Sequence, residues 1–163
     1  MKFSSREDIE VAAEQVFAAL TDFPALELTA MRRNIELRRL DGLVVPGNGM
    51  SWEIRFGLRG KKRMLVASVS EFGAPERLSF EASSPNYEMT LTLVLMALSK
   101  KRTRLTVAME VRPRSLTARL MLQSARLAKA SLARRYGDRV KMLALEVEER
   151  ANLTAIGAAT SPA

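Results

Sequence analysis

The chain has 163 residues, enough for one domain with its own core and little more. Hydrophobic residues make up 47% and charged residues 27%, a soluble balance that excludes both a disordered chain and a disulfide scaffold. Cysteine and histidine are absent, which removes thiol nucleophiles, Cys/His metal centres and any general base built on imidazole. Only carboxylate, Lys, Tyr or Ser chemistry is left for catalysis, and no metal or cofactor is called for.

The opening segment MKFSSREDIE is polar and acidic where a secretory signal would need a long apolar region. The longest apolar stretch, Leu91 to Leu98, is far too short to cross a bilayer. The expectation is a cytoplasmic protein. A first strand carries Phe3, Ile9 and Val11 on one parity. A helical interlude from Ala13 to about Arg33 follows, with Val16, Phe17 and Leu20 at helical spacing. Pro24 after Asp22-Phe23 stops the first helix, because proline lacks an amide donor and restricts its predecessor, and a second short helix comes next.

From Asn34 the period changes to two. Met50, Trp52, Ile54, Phe56 and Leu58 share one face, opposite Ser51, Glu53 and Arg55. Leu78, Phe80 and Ala82 repeat the pattern, as do Tyr87, Met89, Leu91, Leu93, Leu95 and Ala97, and then Leu105, Val107, Met109 and Val111. These read as one-sided antiparallel strands joined by turns at Pro46 to Gly49, Arg59-Gly60-Lys61, Gly73-Ala74-Pro75, Ser84-Pro85-Asn86 and Ser99 to Arg102. Between Met64 and Phe72 both parities are partly apolar, so that strand has no assignable inward face.

After Arg112-Pro113-Arg114 the spacing is helical to about Arg150, with Ala118, Met121, Ala125, Ala128, Leu132, Tyr136, Val140, Leu143 and Val147 in one stripe. Such a helix is about 50 Å long at 1.5 Å per residue, longer than the roughly 40 Å span of a domain this size. It must lie right across one face or bend near Gly137. The small, polar segment 152–163 is expected to fray, leaving a domain over residues 1–151.

The order is strand, two short helices, six antiparallel strands and a long terminal helix. In that order the chain resembles the START-like superfamily, also called SRPBCC or polyketide cyclase/dehydrase-like. The residues that carry the likeness are Glu14 with VFAALTDF at 16–23, Trp52 after the Gly-rich turn, Arg59-Gly60-Lys61, GAPERLSF at 73–80, TRLT at 103–106 and Pro113. The resemblance implies an α+β helix-grip fold, a curved antiparallel sheet of about seven strands with two short helices and a long C-terminal helix packed across it. It also implies an apolar or amphipathic ligand, lipid-, quinone- or polyketide-like, held in a cavity between sheet and helix.

The residues facing that space are Trp52, Ile54, Phe56, Phe80, Tyr87, Met89, Leu91 and Met109 from the strands, with Met121, Ala125, Ala128 and Leu132 from the helix. Small helix residues opposite a bent sheet leave room for a cavity of about 300–1,000 Å³; equally, alanines let helix and sheet pack closely. Parity also turns Glu7 and Arg39 inward, where they could form a buried pair or, in the alternative reading, supply the carboxylate of a cyclase or dehydratase.

Net charge is +8, unevenly spread. Residues 59–63 and 100–104 each hold four basic residues and no acid, and residues 112–141 hold nine basic residues and one acid. In an up-and-down sheet the turns near Arg59, Ser84 and Arg112 share one end, which the resemblance makes the cavity entrance, ringed by Arg59, Lys61, Lys62, Arg63, Arg112 and Arg114. Such a ring fits either a solvated face or an anionic partner: a ligand with an acidic head group, an anionic membrane, or ribosomal or other RNA. Against nucleic acid, nearly all the aromatics are needed inside, leaving no stacking platform.

Overall fold

The computed structural model describes residues 1–160. The alternating segments form one seven-stranded antiparallel sheet: β1 (Lys2–Ile9), β2 (Glu36–Arg39), β3 (Ser51–Leu58), β4 (Lys61–Gly73), β5 (Arg77–Ser83), β6 (Tyr87–Ser99) and β7 (Arg102–Pro113), in the order β1-β7-β6-β5-β4-β3-β2. β1 and β2 are therefore opposite edges. Between them come α1 (Ala13–Leu20) and α2 (Phe23–Arg32); α3 (Leu116–Arg126) and α4 (Lys129–Thr160) follow β7.

Local chemistry sets the helix boundaries. Thr21 folds its hydroxyl back onto the Phe17 carbonyl at 2.8 Å, closing α1. Asp22 then caps α2 by accepting the Ala25 N–H, with Pro24 in the first turn, where its missing donor costs nothing. The mixed parity of β4 has a local cause. A bulge between Val69 and Glu71 inserts one residue, so Leu65, Ala67 and Val69 face inward before it and Phe72 after it.

The terminal helix breaks, but not at Gly137. Leu127 and Ala128 donate to the carbonyls three residues back, Ser124 and Ala125, which tightens the chain into a turn between α3 and α4. Gly137 continues α4 where it passes β1, and a Cβ there would stand 3.7 Å from Ser5 Oγ, an ordinary contact. The segment expected to fray from Asn152 is helical through Thr160, with residues 152–160 exposed; residues 161–163 lie outside the described residues.

The core lies under α4 and the two short helices. Val140, Ala144, Val147 and Ala151 of α4 pack with Ile9, Val16, Phe17, Leu20, Leu105 and Val107. Phe17 meets Phe72 edge-on, with centroids 5.2 Å apart. Strand direction sorts the connections into two ends: the β3–β4 and β5–β6 turns and the β7–α3 junction at one, and the 40–50 loop, the β4–β5 and β6–β7 turns and α1 at the other. Hydrogen bonds tie the first set together, since Arg114 N–H donates to the Asn86 carbonyl at 2.8 Å and the Ser115 hydroxyl to Asn86 Oδ1 at 3.1 Å. Among the described residues no helix is long and apolar enough to cross a membrane.

Candidate functional site

The concave face of the sheet is packed at one end and open at the other. At β3, Met50 and Trp52 are buried, Ile54 and Phe56 half-buried, and Leu58 exposed. On β6, Leu95 and Leu93 are buried while Leu91, Met89 and Tyr87 are half-buried. On β7 the order is Leu105 and Val107 buried, Met109 and Val111 half-buried. β5 passes from buried Leu78 to half-buried Phe80 and Ala82, and β4 from buried Val69 and Ala67 to half-buried Leu65. On all five strands the exposed side is the end that holds the β3–β4 and β5–β6 turns.

The helices explain the gradient. α4 packs chiefly on β1 and α1 and leaves the middle strands uncovered toward the open end. It is pinned there by Tyr136, whose hydroxyl donates to the Val107 carbonyl at 2.9 Å and whose ring lies 5.6 Å from Phe3; burial pushes its pKa above the usual 10.0. α3 turns Ala118, Leu122 and Ala125 toward β7, and Ala118 is buried.

Two helix positions need correcting. Met121 is exposed, one step off the inward face of α3, and Ala128 is exposed in the α3–α4 turn, because the break resets the helical phase. Leu122 takes the place expected for Met121; the spacing 118, 122, 125 could have found it. Leu132 is half-buried at the start of α4.

Trp52 lies on the inward face, in the packed half. It is 6% exposed, contacts Phe23 at 5.1 Å between centroids, and donates its indole N–H to Glu27 Oε1 at 2.8 Å. Phe23 also meets Phe80 edge-on. The open half is thus lined by Ile54, Phe56, Phe80, Tyr87, Met89, Leu91 and Met109, together with Leu65, Ala82 and Val111, which sequence reasoning did not single out as lining.

The expected Glu7–Arg39 pair does not form, because β1 and β2 lie at opposite edges of the sheet. Arg39 instead grips Asp41 in a two-pronged pair at 2.9 and 2.6 Å, stands 4.0 Å from Glu27, and lies over the Trp52 ring. Asp41 also accepts the Ser51 and Leu43 amides, each at 2.8 Å. The Arg39 guanidinium first, and then the Ser51 N–H, hold its carboxyl well below the usual carboxylate range. This cluster fastens the 40–50 loop to the sheet edge. Glu7 is half-buried opposite Leu105, with no hydrogen-bond or ion-pair partner among the described residues.

The six basic residues assigned to the entrance divide into two groups. Arg112 points to the outer face and pairs with Glu110 at 3.0 Å, and Arg114 reaches the Ser84 carbonyl at 3.1 Å and approaches Glu88 at 3.7 Å. Arg59, Lys61, Lys62 and Arg63 are exposed at the β3–β4 turn and pair with no carboxylate among the described residues. Arg59 and Gly60 both have positive φ, 51° and 72°, which makes this a tight two-residue hairpin that projects the charges beyond the sheet. The outer face holds two shallow depressions of about 380 Å³ and 330 Å³, one beside Arg38 and Arg55, the other beside Thr90 and Thr92. Both are polar-rimmed hollows on the side of the sheet away from α4.

No protein-family model matches the chain, and no curated protein matches its sequence. Its backbone does match solved structures over nearly the whole length. The protein TTHA0849 from Thermus thermophilus superposes with a TM-score of 0.65 at 16% identity, covering 99% of this chain and 100% of the other. The Zhui aromatase/cyclase from Streptomyces sp. R1128 also gives a TM-score of 0.65, at 14% identity over 92% of this chain and 94% of that one. A START superfamily protein from Mycobacterium smegmatis follows with 0.56, 15% identity, and coverage of 87% and 98%.

The chain has the START-like helix-grip fold. At such identities the likeness fixes the architecture alone.

Proposed function

We propose that the protein binds an apolar or amphipathic small molecule on the open half of its concave face, without chemistry of its own. One observation carries the reading: apolar residues on five neighbouring strands lose burial in step toward the same end. A chain that only needed a core would cover such residues, because each large apolar side chain left half in water forfeits part of the roughly 1.5–3 kcal/mol its burial offers. The lining has the composition of a ligand site, mostly apolar and aromatic, with Met89 and Met109 able to adapt to a flexible ligand. The tyrosine hydroxyl of Tyr87 and the cations of the β3–β4 turn stand at the rim, suited to an acidic or polar head group. The cyclase or dehydratase reading would need a second group to fix the Glu7 carboxylate, and among the described residues Glu7 has no hydrogen-bond or ion-pair partner.

The test is titration of a fluorescent fatty acid into the full-length chain. Saturable binding, displaced by unlabelled fatty acid, is expected. It should weaken about tenfold in Phe56→Asp, which puts a charge on the lining, and stay unchanged in Met142→Asp, an exposed position on α4. Equal binding by the two variants, or no saturable binding by the wild type, would overturn the reading.

A further inference from the structure

We propose that α3 and the β3–β4 turn together form a docking surface for an anionic lipid bilayer. The first observation is a second apolar stripe on α3. Leu116 and Leu120 of α3, and Leu127 at its C-cap, are 75%, 61% and 94% exposed, and at 100° per residue they lie within about 40° of one another around the helix. Ala118, Leu122 and Ala125 occupy the opposite side and face β7, so the leucines face outward because the helix already has its core contact. Gln123 shares this side between Leu120 and Leu127, but three leucines on the water side gain nothing for folding.

The second observation is charge. Arg119 and Arg126 flank the stripe, one helical face to its side, and Lys129 follows Leu127. None of these three, and none of Lys61, Lys62 or Arg63, pairs with a carboxylate among the described residues. Several cations on the outer face of the sheet are paired, Arg38 and Arg55 with Glu53 and Arg102 and Arg104 with Asp8, while Arg6 on β1 and Lys100 and Lys101 in the β6–β7 turn also have no carboxylate partner among the described residues. Nor does Arg119 serve the helix, for the first turn of α3 holds no acidic residue and a cation there opposes the helix dipole.

The third observation is position. α3 begins at the Asn86 turn, is only about 16 Å long, and hands over to α4, whose Tyr136 touches Phe3 and Val107. It therefore stays at the open end of the sheet, the end from which the β3–β4 hairpin projects. An amphipathic helix with leucines on its free face and cations at its flanks matches an anionic interface: leucines enter the headgroup boundary while Lys and Arg meet the phosphates. The docked bilayer would stand over the open concave face. The surface shares the β3–β4 cations with the ligand reading but none of its apolar lining, so the α3 leucine variant, which leaves that lining and those cations intact, separates failure of docking from failure of ligand binding.

Co-sedimentation of the full-length chain with vesicles tests the proposal. Binding is expected to phosphatidylcholine vesicles containing phosphatidylglycerol and not to phosphatidylcholine alone, and it should fall steeply when salt is raised from ~0.05 M to ~0.5 M. Leu120→Asp with Leu127→Asp should weaken it about tenfold or more. Lys61→Ser, Lys62→Ser and Arg63→Ser together should do the same without touching α3, which keeps the test decisive if the aspartates disturb the helix. Met142→Asp with Leu145→Asp, exposed apolar positions on α4, should bind as the wild type does. Equal binding to both vesicle types, or undiminished binding by the leucine variant, would overturn the proposal. So would a failure to bind vesicles alongside salt-sensitive binding of an RNA homopolymer by wild type and leucine variant alike.

Discussion

The two ends of one concave face are built from the same strands with the same alternation, yet they differ in what covers them. At the closed end, Leu78, Leu105 and Val107 are sealed beneath α1 and α4, and Trp52 has both its ring and its N–H satisfied. Toward the open end, Ile54, Phe56, Met89 and Met109 are only half-buried, because α4 packs chiefly on β1 and α1. Charge at the open end is mixed: Arg112 and Arg114 meet Glu110 and Glu88, while Arg59, Lys61, Lys62 and Arg63 have no carboxylate partner among the described residues. Stability is concentrated at the closed end, which leaves the other free to meet something else.

That division can be broken most directly at Leu105, which is fully buried. Leu105→Ala should cost about 2–5 kcal/mol, read as a fall of about 2–4 °C in Tm per kcal/mol. Phe56→Ala should cost only about 1 kcal/mol, against roughly 3–5 for a phenylalanine in a closed core. A Phe56 penalty as large as that of Leu105 would show that the open half is core after all.

A smaller effect is expected at the edge cluster. The Asp41 carboxyl titrates below its ordinary 3.8 in the folded state, held there first by Arg39 and then by the Ser51 amide. A carboxyl depressed in this way adds stability that is present above its unfolded pKa and lost as pH falls through the folded one. Asp41→Asn should therefore lower stability at neutral pH, flatten the acid limb below about pH 4, and speed hydrogen exchange at the Leu43 and Ser51 amides. An unchanged acid limb would remove Asp41 from the account. The smallest effect belongs to the hairpin charges: Arg59, Lys61, Lys62 and Arg63 replaced together by Ser should shift stability by less than about 1 kcal/mol. A larger loss, measured by urea unfolding, would mean that these side chains support the fold.

Much of the architecture could be read from the sequence, because a period of two assigns faces and turn residues mark the ends of strands. The inward row of β3, Met50 through Leu58, came directly from alternation. Alternation gives direction but not depth, and so it could not separate buried Trp52 from half-buried Phe56, which differ only in whether a helix lies above them. The α3–α4 break was hidden because the residues around Leu127 are good helix formers without Gly or Pro; the turn there is set by how the chain must pass from β7 to β1. Parity put Glu7 and Arg39 on the same face, yet sheet order put them at opposite edges, while the partner Arg39 does have, Asp41, stood two residues away in plain view. The bulge at Val69/Glu71 left its trace as the mixed parity of β4.

The methyl groups of methionine give the most direct test, because nature has spread them across both halves of the division: Met50 in the packed half, Met89 and Met109 in the open half, and Met142 on the outside of α4. With methyl-labelled methionine in the full-length chain, titration with a fatty acid should move the Met89 and Met109 resonances saturably and leave Met50 and Met142 in place. Unmoved Met89 and Met109 signals, or shifts confined to the exposed Met142, would contradict a ligand site on the open half of the concave face.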